Sequence, residues 1–241
     1  MDHRNADLDP GTKPPVDSLK QILWNGDWSD ELSDARILEN LFLVGAGIRH
    51  SSMFHPMDED EVLKVRDAAE KIGSGMIVRK AGRRVLKVFI FDDKKREMAE
   101  SIPDIYEDMG FRDFIIGQIT IARMTGYFLD FPPCCVESFV NHLNNATDQD
   151  LFATKALREE SDPDPDAYFM ERFVPCSPRC ENAIREGRRI TWELNRVDPG
   201  LVELYGDLKR DHMKDVADGV ILEEKKKRGK GEGGSLAWKA A

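Results

Sequence analysis

The spacing of apolar residues predicts that most of this chain is helical. Leu19, Ile22 and Leu23 recur at the spacing of one helix face, and Ser18 stands where an N-cap is expected. The same periodicity predicts further helices over residues 30–43, 58–72, 94–109, 133–143, the first half of 147–166, 175–197 and the residues that follow Pro199. Pro103 is expected to kink or divide the helix over 94–109. The run 114–122 fits a strand or a helix, and its apolar continuation to Tyr127 favours a helix from about Gly117.

Two segments are typical of β-strands. Gly75–Arg79 and Arg84–Phe91 are rich in β-branched and aromatic residues, and the four residues between them predict a hairpin turn. The second segment is apolar on both faces, so we expect it to be a central strand that is covered on both sides. Ser51–Phe54 is interpreted as a loop.

These elements predict an α+β protein that is mostly helical, with a small antiparallel hairpin or sheet packed against helices that carry cysteines. The organisation we expect is a disordered tail over residues 1–17, an N-terminal α+β region over 18–110, a helical region with the cysteines over 111–213, and a disordered charged tail over 214–241.

Charge narrows the classes of partner. The chain has 45 acidic residues against 35 Lys and Arg, and its net charge is -10. Nucleic-acid binders usually carry a basic face that neutralises phosphates, so general nucleic-acid binding is not expected. No apolar run approaches the roughly 18 residues of a membrane span, and the first residues do not form a signal peptide, which favours the cytoplasm.

The four cysteines are the feature that points most directly to chemistry. They form two clusters, Cys134 with Cys135 and Cys176 with Cys180, and each cluster follows a proline and precedes a helical pattern. Thiols at a helix N-terminus experience the positive end of the helix dipole, which favours the thiolate that binds metals and attacks electrophiles.

Three interpretations of the cysteines remain open. Four converging thiolates would suit an iron–sulfur cluster or zinc, although the adjacent pair Cys134–Cys135 is unusual for a zinc finger. The thiols would otherwise be redox-active or nucleophilic without a metal, or they would be buried packing residues. Clustering favours the metal, with all four cysteines as ligands.

A row of arginines lies beside the second cluster. Arg179, Arg185 and Arg189 are candidates for holding a small anionic ligand or cofactor near the cysteines. The alternative, which we favour, is an exposed helix face on which arginines pair with Glu181, Glu186 and Glu193.

The stretch from Gly126 to Arg189 resembles a family of prokaryotic proteins, best represented in methanogenic archaea, that is known only as a domain of unknown function. The resemblance rests on Gly126-Tyr127, on the run from Pro133 to Phe139 and on the run from Pro175 to Cys180. Phe173 and Val174 stand where that family often has a histidine. The resemblance implies that the four cysteines matter and implies no known reaction.

The leading hypothesis is therefore a cytoplasmic metalloprotein that binds an iron–sulfur cluster, or zinc, through four cysteines in a redox or cluster-assisted role. The alternative is a non-enzymatic interaction or scaffold protein with structural cysteines or a zinc site. A small anionic ligand or a protein is the expected partner.

Overall fold

The computed structural model describes residues 14–26, 33–54, 59–80, 86–103, 111–145 and 147–219. Within these ranges the chain forms ten α-helices: α1 (Val16–Trp24), α2 (Asp34–Arg36), α3 (Leu43–Gly45), α4 (Glu59–Lys71), α5 (Arg96–Ser101), α6 (Phe111–Phe128), α7 (Pro133–Asn144), α8 (Gln149–Glu159), α9 (Glu181–Val197) and α10 (Val202–Asp218). A π-helical segment, Ile37–Phe42, joins α2 to α3, and short 3₁₀ helices cover Asp93–Lys95, Pro165–Tyr168 and Pro199–Leu201. Mostly helical α+β architecture is thus confirmed.

The sheet contains three antiparallel strands, β1 (Ser51–Phe54), β2 (Gly75–Lys80) and β3 (Leu86–Phe91), in the order β1-β3-β2. The antiparallel pairing expected of β2 and β3 is confirmed, and β3 is the central strand as expected. Most of the predicted turn, residues 81–83, lies outside the described residues. The prediction that Ser51–Phe54 is a loop is wrong. Both serines are buried there, because Ser51 donates to the carbonyl of Phe128 and Ser52 Oγ lies 2.6 Å from its acceptor, Asn40 Oδ1.

Several helix boundaries differ from the prediction. The ambiguous segment is helical and belongs to α6, which begins at Phe111. The helix expected from residue 94 becomes α5 and ends at Ser101, two residues before Pro103. The helix expected over 175–197, entered through a cysteine-bearing turn, is α9; the turn extends to Cys180, so the helix begins only at Glu181.

The structure also describes a few residues of both predicted tails. Helix α1 begins at Val16, and α10 continues to Asp218 and ends on Gly219, whose left-handed conformation (φ 71°) suits glycine. Residues 1–13 and 220–241, which make up the rest of the two tails, lie outside the described residues. Among the described helices, we find none with both the length and the apolar character that crossing a membrane requires.

One hydrophobic core runs through both halves of the chain. The ring of Phe128, at the end of α6, meets the rings of Phe89 and Phe91 edge-on, with centroids 5.3 and 6.3 Å apart. Helix α6 then packs along α7, where Gly126 lies against Val136. The sheet is therefore connected through α6 to the helix that carries the first cysteine pair.

Ionisable side chains are also buried within this core. Glu39, in the π-helical segment, is 2% exposed, and one of its oxygens lies 3.4 Å from His212 Nε2. Burial and the nearby charge of Glu171 raise the pKa of Glu39 to about 8, although Arg49 opposes the shift. Glu39 is thus a carboxyl group that the fold holds largely neutral at pH 7.

Candidate metal centre

The first pair of cysteines lies in the first turn of α7. Pro133 takes the first helical position, where its missing N–H costs no hydrogen bond, so Cys134 and Cys135 occupy the next two positions. The carbonyl of Pro132 accepts from the N–H of Cys135 at 2.8 Å, which closes this turn. The prediction that these thiols lie at a helix N-terminus is confirmed.

The second pair lies in a tight turn that leads into α9. Cys180 is the N-cap residue of α9, and its N–H donates to the carbonyl of Ser177 at 3.1 Å. Its own carbonyl accepts from Ile184 at 2.9 Å. The turn, and not a shared helix face, brings Cys176 towards Cys180.

The four sulfur atoms converge. All lie within 4.8 Å of one another, with Cys134 Sγ 3.9 Å from Cys135 Sγ, and Cys180 Sγ 3.7 Å from the first and 3.6 Å from the second. A disulfide bond is about 2.05 Å long, and all four cysteines are free thiols. The fold thus brings together two cysteine pairs that are more than 40 residues apart in the sequence, and the arrangement can bind a metal.

Exposure and hydrogen bonding distinguish the four sulfurs. Cys135 and Cys180 are 2% and 8% exposed, Cys176 is half-buried, and Cys134 is exposed. The N–H of Cys176 donates to Cys135 Sγ at 3.4 Å. Burial nevertheless raises the pKa of Cys135, and it raises that of Cys176 to about 12. Burial also acts to raise the pKa of Cys134, but hydrogen bonds from Asn182 and the other cysteines lower it overall.

Asn182 is a site residue that the sequence reasoning missed. Its Nδ2 lies 3.3 Å from Cys134 Sγ, and its Oδ1 accepts from Arg185 Nη2 at 2.7 Å. Because Arg185 can only donate, this contact fixes the carboxamide with its NH₂ group towards the sulfur. The signal in the sequence was a polar residue two positions after Cys180, which is too common a feature to identify a donor.

A polar groove of about 350 Å³ opens beside Cys134. Its other lining residues lie on α7 or just beyond it and are Glu137, Ser138, Asn141, His142, Asn145 and Thr147. The Glu137 carboxylate is bound by both Arg123 Nε and Arg123 Nη2, at 2.9 and 2.8 Å. His142 Nδ1 lies 2.8 Å from Thr147 Oγ1. The groove thus offers hydrogen-bonding groups and a carboxylate that is already paired.

The three arginines predicted to hold an anion face different surroundings. Arg179 and Arg185 line an open cleft of about 770 Å³ that Asp162 and Glu181 also line. Arg189 instead forms two hydrogen bonds with Glu186, at 2.7 and 3.0 Å, and donates to the carbonyl of Ile48 at 3.1 Å. The pairing of Arg189 with Glu186 is the contact expected of an exposed helix face.

Comparison with known proteins finds a match to a protein family whose function is unknown. Residues 86–204, which include all four cysteines, match a family described as "Protein of unknown function (DUF483)". The uncharacterized protein MJ1106 of Methanocaldococcus jannaschii is 34% identical over 65 residues, which make up 26% of this chain. The match spans about a third (35%) of the length of that relative. No solved structure matches the chain.

Proposed function

We propose that the protein binds one zinc ion, held tetrahedrally by Cys134, Cys135, Cys176 and Cys180. The observation that carries the proposal is the spacing of the sulfurs. Zinc–sulfur bonds of about 2.3 Å at tetrahedral angles separate neighbouring sulfurs by about 3.8 Å. The separations of 3.6, 3.7 and 3.9 Å around Cys134, Cys135 and Cys180 agree with that value.

An iron–sulfur cluster was the first choice from the sequence, and the same spacing disfavours the cubane form of such a cluster. In a cubane each cysteine binds a different iron, so four irons and four sulfides lie between the thiolates and spread them apart. Sulfurs within 4.8 Å of one another fit a single ion better than such a cluster, which supports zinc in this proposal. Four protein ligands, which leave no coordination position open, are also typical of a zinc site that supports the fold.

Zinc in this position would join the start of α7 to the start of α9. The ligands of the two pairs are 41 or more residues apart in the sequence, and the segment between them includes α8 and a 3₁₀ helix. The role we propose is therefore structural first, which agrees with the scaffold alternative. Free thiols persist in a reducing compartment, and on this ground we assign the protein to the cytoplasm. Binding of an anion by Arg179, Arg185 and Arg189 stays a prediction.

Elemental analysis of protein purified without oxygen tests the proposal. We expect about one zinc per chain and no visible absorption. Cys180→Ser is expected to lose the zinc because it removes a buried ligand, whereas Ser177→Ala, in the same turn, should retain it. Saturating zinc added to metal-free wild type should raise its Tm, since a ligand that binds only the folded state stabilises it by about 4 kcal/mol at 1,000 times its Kd.

Two results would contradict the zinc assignment. Iron with acid-labile sulfide and a visible shoulder would identify an iron–sulfur cluster instead. Protein that contains no metal, takes none up and has four titratable thiols would remove the metal altogether and leave thiol chemistry or packing.

A further inference from the structure

The exposed ligand of the site has a different environment from the other three. Cys134 lies at the surface and lines the polar groove, whereas Cys135 and Cys180 are buried in the core. Cys135 also accepts the backbone N–H of Cys176, which shields its sulfur further. A small molecule in the groove would therefore meet the sulfur of Cys134 before any other.

We propose that Cys134, as a zinc-bound thiolate, is a nucleophile that accepts an alkyl group from a small, uncharged and polar alkyl electrophile bound in this groove. The inference rests on the proposed zinc site. Four thiolates around a divalent ion carry a net charge of about −2, so the exposed sulfur keeps nucleophilic electron density without losing a proton first.

The transfer is balanced within the groove. Cys134 Sγ attacks the electrophilic carbon with a lone pair, and a sulfur–carbon bond forms. The bond from that carbon to its leaving group breaks, and the leaving group departs with the electron pair as a hydrated anion. Cys134 becomes a neutral thioether, which is a weaker ligand, and no oxidant or reductant is consumed.

The lining of the groove defines the substrate class. Ser138, Asn141 and Asn145 offer hydrogen bonds without net charge, and Glu137 is paired with Arg123. A volume of about 350 Å³ is at the lower end for small-molecule sites, which suits a compact ligand. The negative charge of four thiolates disfavours an anionic electrophile.

Asn182 is assigned as the positioning residue for this sulfur. The hydrogen bond from its Nδ2 engages one lone pair of Cys134, and Arg185 holds the carboxamide in that orientation. A hydrogen bond to a charged acceptor stabilises the unreacted thiolate, so the contact lowers the nucleophilicity of the sulfur until it is broken. Removing it should make Cys134 react faster.

Iodoacetamide, a compact uncharged alkyl electrophile with a carboxamide, is the probe. The full-length protein, with its zinc content measured first, is treated for short times at pH 7. The remaining thiols are trapped with a second reagent after denaturation, and peptide mass spectrometry reports each cysteine. We expect Cys134 to react at least tenfold faster than the other three and faster than free glutathione. Iodoacetate, the anionic analogue, should react more slowly at Cys134.

Two asparagine variants test the positioning role. Asn182→Ala is expected to raise the rate at Cys134 about three- to tenfold with unchanged zinc content, because the sulfur regains its lone pair. Asn195→Ala, an exposed asparagine on the same helix, should leave the rate unchanged. An unchanged rate in Asn182→Ala would overturn the role assigned to Asn182.

The remaining outcomes separate the two proposals. Zinc-loaded protein in which Cys134 is inert, reacts no faster than Cys176 or reacts more slowly than glutathione overturns the nucleophile and leaves the zinc site intact. Protein that binds no zinc overturns the zinc site, and the nucleophile with it.

Discussion

Replacing Gly126 by alanine should loosen the contact between α6 and the cysteine-bearing helix α7. A Cβ atom at this position would lie 2.6 Å from Val136 Cγ2 and 3.1 Å from its Cγ1. Unstrained carbon contacts are about 3.5–4.0 Å, so the two helices must separate by about 1 Å. Val136 is 4% exposed and β-branched, and such a side chain has one strongly preferred rotamer in a helix, so it cannot turn away.

The net effect follows from two opposing contributions. Overpacking of this kind costs about 1–3 kcal/mol, while alanine in a helix interior is about 1 kcal/mol better than glycine. A contact of 2.6 Å with a side chain that cannot turn away places the cost at the upper end of that range, about 2–3 kcal/mol, so Gly126→Ala should lower the free energy of unfolding by about 1–2 kcal/mol. For a chain of this size that corresponds to a decrease in Tm of about 3–6 °C. Urea unfolding of the zinc-loaded protein, followed by circular dichroism, measures it.

A double-mutant cycle attributes the loss to this contact. Val136→Ala removes the two methyl groups that clash, so the double variant should lose about 1–2 kcal/mol less than the sum of the single variants. Gly206→Ala is the matched control, because a Cβ there has nothing nearer than Arg210 Nη1 at 3.6 Å, and it should be stabilising by about 0.5–1 kcal/mol. If Gly126→Ala behaved like Gly206→Ala, or if the cycle were additive, the close approach of α6 and α7 would be refuted.

Two further substitutions test other parts of the core. In Gly187→Ala the new Cβ would lie 2.1 Å from the backbone oxygen of Asp166, and no side-chain movement can relieve this clash. We expect the free energy of unfolding, measured with urea, to fall by about 3 kcal/mol. A variant as stable as the wild type would contradict the packing of α9. Burial raises the pKa of Glu39 to about 8 because it disfavours the ionised carboxylate in the folded state. The contribution of Glu39 to the free energy of unfolding is therefore fully present below pH 4.5 and is lost progressively as the pH rises to 8. Stability falls by about 1.4 kcal/mol for each pH unit between the two pKa values, so Glu39→Gln, which cannot ionise, should abolish about 3–4 kcal/mol of the decrease in stability between pH 5 and 8. Identical pH profiles for the two proteins would show that Glu39 is not neutral in the folded state.

Local patterns were sufficient to predict the first cysteine helix. Pro133 at the first helical position and the apolar spacing through Val140 depend only on neighbouring residues, and the structure has α7 there. The central strand β3 was equally predictable, because its residues are apolar on both faces. Both cases rest on short-range sequence periodicity.

Features that depend on distant partners could not be predicted in this way. Ser51 and Ser52 look like loop residues, and they fit a buried strand only because Phe128 and Asn40 accept their hydroxyl hydrogen bonds. The convergence of the cysteine clusters likewise depends on the path of the chain through α8 and the turn before α9. Asn182 reaches Cys134 only once that path is fixed.

The anchoring of α9 explains how one site could be both structural and reactive. Ala183, Ile190 and Leu194 are fully buried, so this helix is held to the core along its length and not by cysteines alone. Cys135 and Cys180 belong to the same core, and they would keep an ion close to its position if one ligand weakened. Alkylation of Cys134 would therefore change the ligand that faces solvent while three thiolates and an intact helix face remain. A tetracysteine site that was the main support of its domain would not tolerate such a change, because loss of the ion would unfold it.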